Sequence, residues 1–182
     1  MATSGLLNTC ASVVGRGLFA GALATGPMSG VMLAGKLLGL MGTPPPKEIT
    51  AKAAIAAVTT PHDASAIGGI VRFPGAAPSD SFPALWMGGH VLYGAACGGG
   101  YALLHRRLLP RVPAWLHGAG FGLLVWGFSY LAWVPALGLY PRPERDSPGR
   151  MATMIVAHVV FGVTLAEINR RLDECESRVT QV

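Results

Sequence analysis

A chain of 182 residues that is 51% hydrophobic and only 13% charged, with a mean hydropathy of +0.46, has lipid as its main solvent. A soluble domain carries roughly twice that share of charge. The length allows one domain and no separate soluble unit, and the net charge of +5 does not point to nucleic acid, because the arginines sit at the ends of apolar stretches, where lipid headgroups meet them.

The residues before Arg16 lack a basic n-region, and the apolar run after it is too long for a signal-peptide core, so the run reads as a retained span. A membrane helix needs about 20 mainly apolar residues. Four stretches meet that length, at about 16–41, 84–104, 113–137 and 151–169. The predicted fold is therefore an all-α integral membrane bundle of four transmembrane helices, one domain over residues 1–182.

The first span carries Pro27, which removes a backbone hydrogen bond and which a membrane helix tolerates when its neighbours compensate. A long loop follows at about 43–83, opening on Pro44-Pro45-Pro46-Lys47-Glu48-Ile49-Thr50, with a short alanine-rich helix expected over 48–58. The second span contains Gly98-Gly99-Gly100, which lacks the strand, Lys and Ser/Thr of a phosphate loop. Aromatics crowd the third span (Trp115, Phe121, Trp126, Phe128, Tyr130 and Trp133) and read as packing and lipid contact, and Pro135 predicts distortion or termination near its end. The fourth fades at Glu167 and Asn169, and the acidic tail after it reads as a solvated cap.

Glycine pairs four residues apart (Gly17/Gly21, Gly26/Gly30, Gly35/Gly39, Gly94/Gly98 and Gly118/Gly122) predict close helix contacts. The short loops at about 105–112 and 138–150 predict antiparallel neighbours. Seven Lys and Arg side chains on the side of the termini face six on the side of the long loop, and the abutment of Arg106, Arg107, Arg170 and Arg171 on apolar runs places both termini in the cytoplasm.

The phrase His90-Val91-Leu92-Tyr93-Gly94 returns as His158-Val159-Val160-Phe161-Gly162, and the stretches they open close on Arg106-Arg107-Leu108 and Arg170-Arg171-Leu172. With the second and fourth spans parallel, both histidines fall about 8–11 Å below the surface that carries the long loop, which holds His62 and Asp63. His117 belongs to the opposite leaflet, and His105 is expected to be solvated there.

Three readings meet at this constellation. The histidines are interhelical hydrogen-bonding groups in an accessory or structural subunit without enzymatic activity, packing against lipid, other membrane subunits or itself. Alternatively His90 and His158 bind haem or a transition metal in a redox protein, with His62 as a third metal ligand, since neutral imidazole suits both. As a third reading they line a proton or substrate path in a small carrier. The haem reading lacks a CxxCH attachment motif, and no cofactor is favoured.

The glycine-rich first span from Gly21 to Gly30, the Pro-Pro-Pro-Lys-Glu-Ile-Thr loop and the two His-x-x-x-Gly spans resemble the YagU-like group of small bacterial inner-membrane proteins over most of residues 16–170. That resemblance implies a bacterial inner-membrane location and four helices, and it transfers no activity and no functional residue.

Overall fold

A computed structural model describes residues 2–41, 49, 82–108, 112–139 and 146–179. The described residues contain no strand, and their helices form four elements: α1 (Ala2–Leu37), α2 (Phe82–Leu108), α3 (Ala114–Gly127, continued by Phe128–Trp133 and Val134–Ala136) and α4 (Pro148–Val179). Three of them hold stretches long and apolar enough to cross a membrane, at Ser12–Leu37, Ala114–Ala136 and Pro148–Arg178. The alanine-rich segment expected over 48–58 lies outside the described residues except for the helical Ile49.

The ends of the helices follow local chemistry. α1 runs through Pro27, whose side chain is exposed, and stops at Leu37, four residues short of the predicted limit. Gly39 then turns the chain at φ +71°, a left-handed conformation that glycine adopts without a Cβ penalty. In α3, Pro135 cannot donate to the carbonyl one turn before it, and Phe128–Trp133 widen into π turns, where Val134 N–H bonds Ser129 O. α4 opens on Asp146-Ser147-Pro148: Ser147 Oγ accepts from Arg150 N–H at 3.3 Å, and proline at the first helical position needs no N–H there. The Asp146 carboxylate, 3% exposed, accepts from Ser147 N–H and from the Tyr130 hydroxyl, tying the start of α4 to the widened part of α3. At its other end α4 continues ten residues beyond the predicted limit. Glu167 pairs with Arg170 and Arg171, and Glu174 with Arg170, at helical spacings that support an exposed helix.

Packing divides the molecule into two hairpins. α1 lies along α2 and α3 along α4; α1 also packs along α4, whereas α2 and α3 have few backbone contacts. Gly17 and Gly21 face Gly94, Gly98 and Ala102 so closely that an added Cβ would strike backbone, and Gly118 and Gly122 face His158, Gly162 and Ala166 in the same way. The correspondence holds residue for residue. Gly17 and Gly21 stand where Gly118 and Gly122 stand, a shift of 101; Gly94, Gly98 and Ala102 stand where His158, Gly162 and Ala166 stand, a shift of 64. Among the described residues, the two hairpins repeat one glycine-sealed seam.

This register corrects the repeated His-Val phrase. The two Arg-Arg-Leu segments keep the shift of 64, but His90 and His158 are 68 apart, one helical turn out of step. The packing equivalent of His90 is Met154, and that of His158 is Gly94. Among the predicted glycine contacts, Gly35 meets Thr153, while Gly26 and Gly30 have no atom within 4 Å of a Cβ position and face outward.

Buried Ala20, Ala24, Met28, Met32, Tyr101, Met154, Ala157, Phe161 and Leu165 form the core between the hairpins. Outside it, Leu18, Phe19, Leu23, Leu33, Leu92, Leu124, Phe128 and Leu131 are exposed, as expected of helices solvated by hydrocarbon.

Candidate functional site: a cavity between α2 and α3

Where the pseudo-equivalent seam, α1 against α4, is closed, α2 and α3 part and leave a cavity of about 340 Å³. Met28 and Thr25 of α1 and Met154, His158 and Phe161 of α4 form its floor; His90, Tyr93 and Cys97 line one wall and Val125, Trp126, Tyr130 and Trp133 the other. Its surface is dominated by carbon. That size and lining are those of a small-molecule site, where pockets run from about 300 to 1,000 Å³.

The few polar groups are arranged differently from one another. Thr25 Oγ1 donates back to Gly21 O at 3.0 Å and is thereby satisfied. Tyr93 reaches across the gap to Ser129 Oγ at 2.7 Å and lies with its ring 6.0 Å from that of Trp133, so one side chain of α2 spans the mouth to α3. His158, 6% exposed, sits 2.7 Å by Nδ1 from Met154 O. A carbonyl can only accept, so Nδ1 carries the proton and the neutral ring presents Nε2 as its lone-pair nitrogen. His90 Nδ1 and Trp126 Nε1 are buried and have no hydrogen-bond partner among the described residues. An indole N–H is a donor only, and burying one unpaired costs about 1–3 kcal/mol.

The structure therefore brings His90, His158 and Tyr93 to one cavity. His62 and Asp63 lie outside the described residues. Among the described residues no group of three or more His, Cys, Asp or Glu side chains is arranged to hold a metal ion. Gly94 is not available for the close approach of a macrocycle, because it is pressed against Thr25 and Gly21. Gly89 does line the cavity, and a Cβ there would meet open space. Cys97 is a half-buried free thiol on the same wall.

Trp126 packs as its sequence context suggests, its ring stacked on Tyr130 with centroids 5.5 Å apart, and its N–H is buried without a partner among the described residues. The signal in the sequence was an indole at mid-span, where no water is available to it.

The opposite end of the bundle holds a second polar group of residues. Tyr101 bonds His117 Nδ1 at 2.7 Å and packs edge-on against Phe121, joining α2 to α3 where they do meet. His105 is not solvated as expected. Its ring stacks on that of Tyr101 at 4.9 Å, its Nδ1 donates to Tyr101 O, and its Nε2 faces Asp173 at 3.8 Å. The acidic tail is exposed at Glu174, Glu176 and Arg178, as a solvated cap is, and Asp173 and Glu176 also pair with Arg16 of α1, tying the helix ends together. His117 lies at this end, far along α3 from the cavity.

Comparison with family models, curated proteins and solved structures finds no match to this chain.

Proposed function

We propose that this chain is a four-span protein of the bacterial inner membrane, without enzymatic activity, that serves as an accessory subunit and holds a small lipid-soluble molecule between α2 and α3. The observation that carries the reading is the cavity itself: a carbon-lined space of about 340 Å³ at the gap between α2 and α3. α2 counts as the fourth span because its 27 residues, about 40 Å of helix, lie along α1 through the Gly17/Gly21–Gly94/Gly98 seam. The YagU-like resemblance supports the location, and the positions of Arg106, Arg107, Arg170 and Arg171 support cytoplasmic termini.

A second reading keeps His90 and His158 as haem or metal ligands in a redox protein. It is favoured by one detail, the His158 Nδ1–Met154 O bond, since ligating histidines characteristically donate their other nitrogen in this way.

One preparation tests both readings. The protein is purified in mild detergent, its visible spectrum and metal content are recorded, and an organic extract is analysed for small molecules. A stoichiometric lipid-soluble compound in a colourless, metal-free protein is the expected result. A Soret band or stoichiometric metal that disappears in His90→Ala and His158→Ala replaces the first reading with the second. Orientation is checked by an impermeant maleimide on intact cells. It reaches a cysteine introduced as His62→Cys and not the native, exposed Cys175; the reverse pattern inverts the topology.

A further inference from the structure

The gap between α2 and α3 differs from the closed seam between α1 and α4 by a few side chains, and the difference names a guest. Resting on the reading above, we infer that the cavity takes one unbranched acyl chain of a bilayer phospholipid, which lies between α2 and α3 and makes no hydrogen bond there.

The closed seam is the template. Under the shift of 64, Cys97 stands where α4 has Phe161, and Tyr93 where it has Ala157. Under the shift of 101, Phe121 and Val125 stand where α1 has Ala20 and Ala24. Ala20, Ala24 and Ala157 are fully buried in the core, and Phe161 is 2% exposed. Bulkier side chains in the three alanine places hold α2 and α3 apart, and a thiol in place of a phenyl ring leaves the space between them unfilled. The material missing from the open seam is hydrocarbon.

The lining asks for the same chemistry. Thr25, Tyr93, Ser129 and Tyr130 spend their hydroxyls on protein partners, and His158 Nδ1 lies against Met154 O. The unpaired His90 Nδ1 and Trp126 Nε1 are covered by protein and offer a guest nothing. Carbon makes up nearly all of the remaining surface, so water, which needs two to four polar partners, is a poor occupant. Shape selects a chain. The lining runs from Gly89 to Cys97, about 12 Å along α2, which approaches the depth of one leaflet, half of a hydrocarbon core about 30 Å thick. The cavity volume over that length gives a channel roughly 6 Å wide, and with carbons in contact at about 3.5–4.0 Å it admits one chain and not two. The source is the bilayer. Tyr93 is exposed and Cys97, Trp126 and Trp133 are half-buried, so the cavity is open outward, beside the exposed Leu92, Phe128 and Leu131. Phospholipid is in excess there, and mass action favours it. Among the described residues no Lys or Arg lines the cavity to hold the carboxylate of a free fatty acid.

The test is a fluorescence titration of the full chain, in excess dodecyl maltoside, with phosphatidylglycerol carrying mid-chain bromines. Bromine quenches an indole on contact, and Trp126 and Trp133 line the cavity. At low lipid fraction, contact with the outer surface gives quenching that rises linearly. The expected result is a further component that saturates near one lipid per chain. Unbrominated dioleoyl phosphatidylglycerol should reverse that component. The methyl-branched diphytanoyl form, with the same headgroup, should need about 10-fold more, the worth of a surplus carbon in an apolar site, and equimolar oleate should leave it in place. Cys97→Phe, which copies Phe161, should abolish the saturable component and keep the linear one. The competitions use the unaltered protein, so they report even if the variant fails to fold. Linear quenching alone overturns the acyl site: a stoichiometric compound without acyl chains in the organic extract then keeps the reading above, and an extract without any stoichiometric compound removes that reading too. Equal competition by the branched lipid overturns the fit to an unbranched chain, and reversal by equimolar oleate overturns phospholipid as the source. A saturable component that persists in folded Cys97→Phe overturns the placement of the chain in the cavity.

Discussion

Gly98→Ala tests the hairpin register at the point where the two helices are closest. A Cβ at Gly98 lies against Gly17 O and falls 2.7 Å from Gly21 Cα and 2.8 Å from Gly21 N, all backbone atoms that no rotamer change can move. Comfortable carbon–carbon contact is about 3.5–4.0 Å, so α1 must withdraw by roughly an ångström along the whole seam. Overpacking of this kind costs about 1–3 kcal/mol, against which alanine returns about 0.5–1 kcal/mol of helix propensity. The control is two residues away: Gly100 has no atom within 4 Å of its Cβ position, so Gly100→Ala collects the propensity gain alone. Thermal unfolding followed by circular dichroism in one detergent compares them. At about 2–4 °C per kcal/mol for a chain of this length, Gly98→Ala should lower the midpoint by several degrees while Gly100→Ala holds or raises it. A Gly98→Ala midpoint at or above the starting value refutes the register, as does an equal loss in both variants.

The Tyr93–Ser129 bond across the cavity mouth should show a coupling energy of about 0.6–1.7 kcal/mol in a Tyr93→Phe/Ser129→Ala double-mutant cycle, and a coupling near zero means that the bond does not bridge the helices in the bilayer. Removing the clamp with Arg16→Ala should free the end of α4, seen as faster tryptic cleavage at Arg178. High salt should speed the same cleavage in the unaltered protein, because these partly exposed pairs are screened. Asp146→Ala removes the acceptor of Tyr130 and of Ser147 N–H together, with an expected loss of about 1.5–3 kcal/mol in unfolding free energy. A loss no greater than that of Ser147→Ala would show that the tie to α3 contributes nothing.

Hydropathy locates the four helices, three of which hold stretches long and apolar enough to cross a membrane. Element ends were less legible, and for identifiable reasons. The tail of α4 is polar, and its continuation as helix depends on the Glu167–Arg170–Glu174 pairs and on Arg16 arriving from α1, a long-range partner. Gly17, Gly21, Gly94, Gly98, Gly118 and Gly122 were found by spacing alone. Gly162 was missed because its seam partner four residues earlier is His158, which contributes its backbone to the contact and its ring to the cavity. The same dual use misled the eye over the repeat: His90 and His158 share a phrase and a cavity without sharing a place in the packing. What no pattern could supply was the inequality of the two seams between hairpins, since it arises from which pair of helices closes.

That inequality separates connectivity from proximity. α2 and α3 follow one another in the chain yet have few backbone contacts, while α1 and α4, at opposite ends of it, are packed along their length and pinned through Arg16. In space the chain is close to a ring with its covalent break on the wrong side. A gene cut between α2 and α3 thus interrupts the least extensive helix contact, and it should yield two hairpins that find each other through α1 and α4. Joining the present termini instead would give a permuted chain whose new ends stand beside the Tyr101–His117 bond, at the end of the bundle away from the cavity.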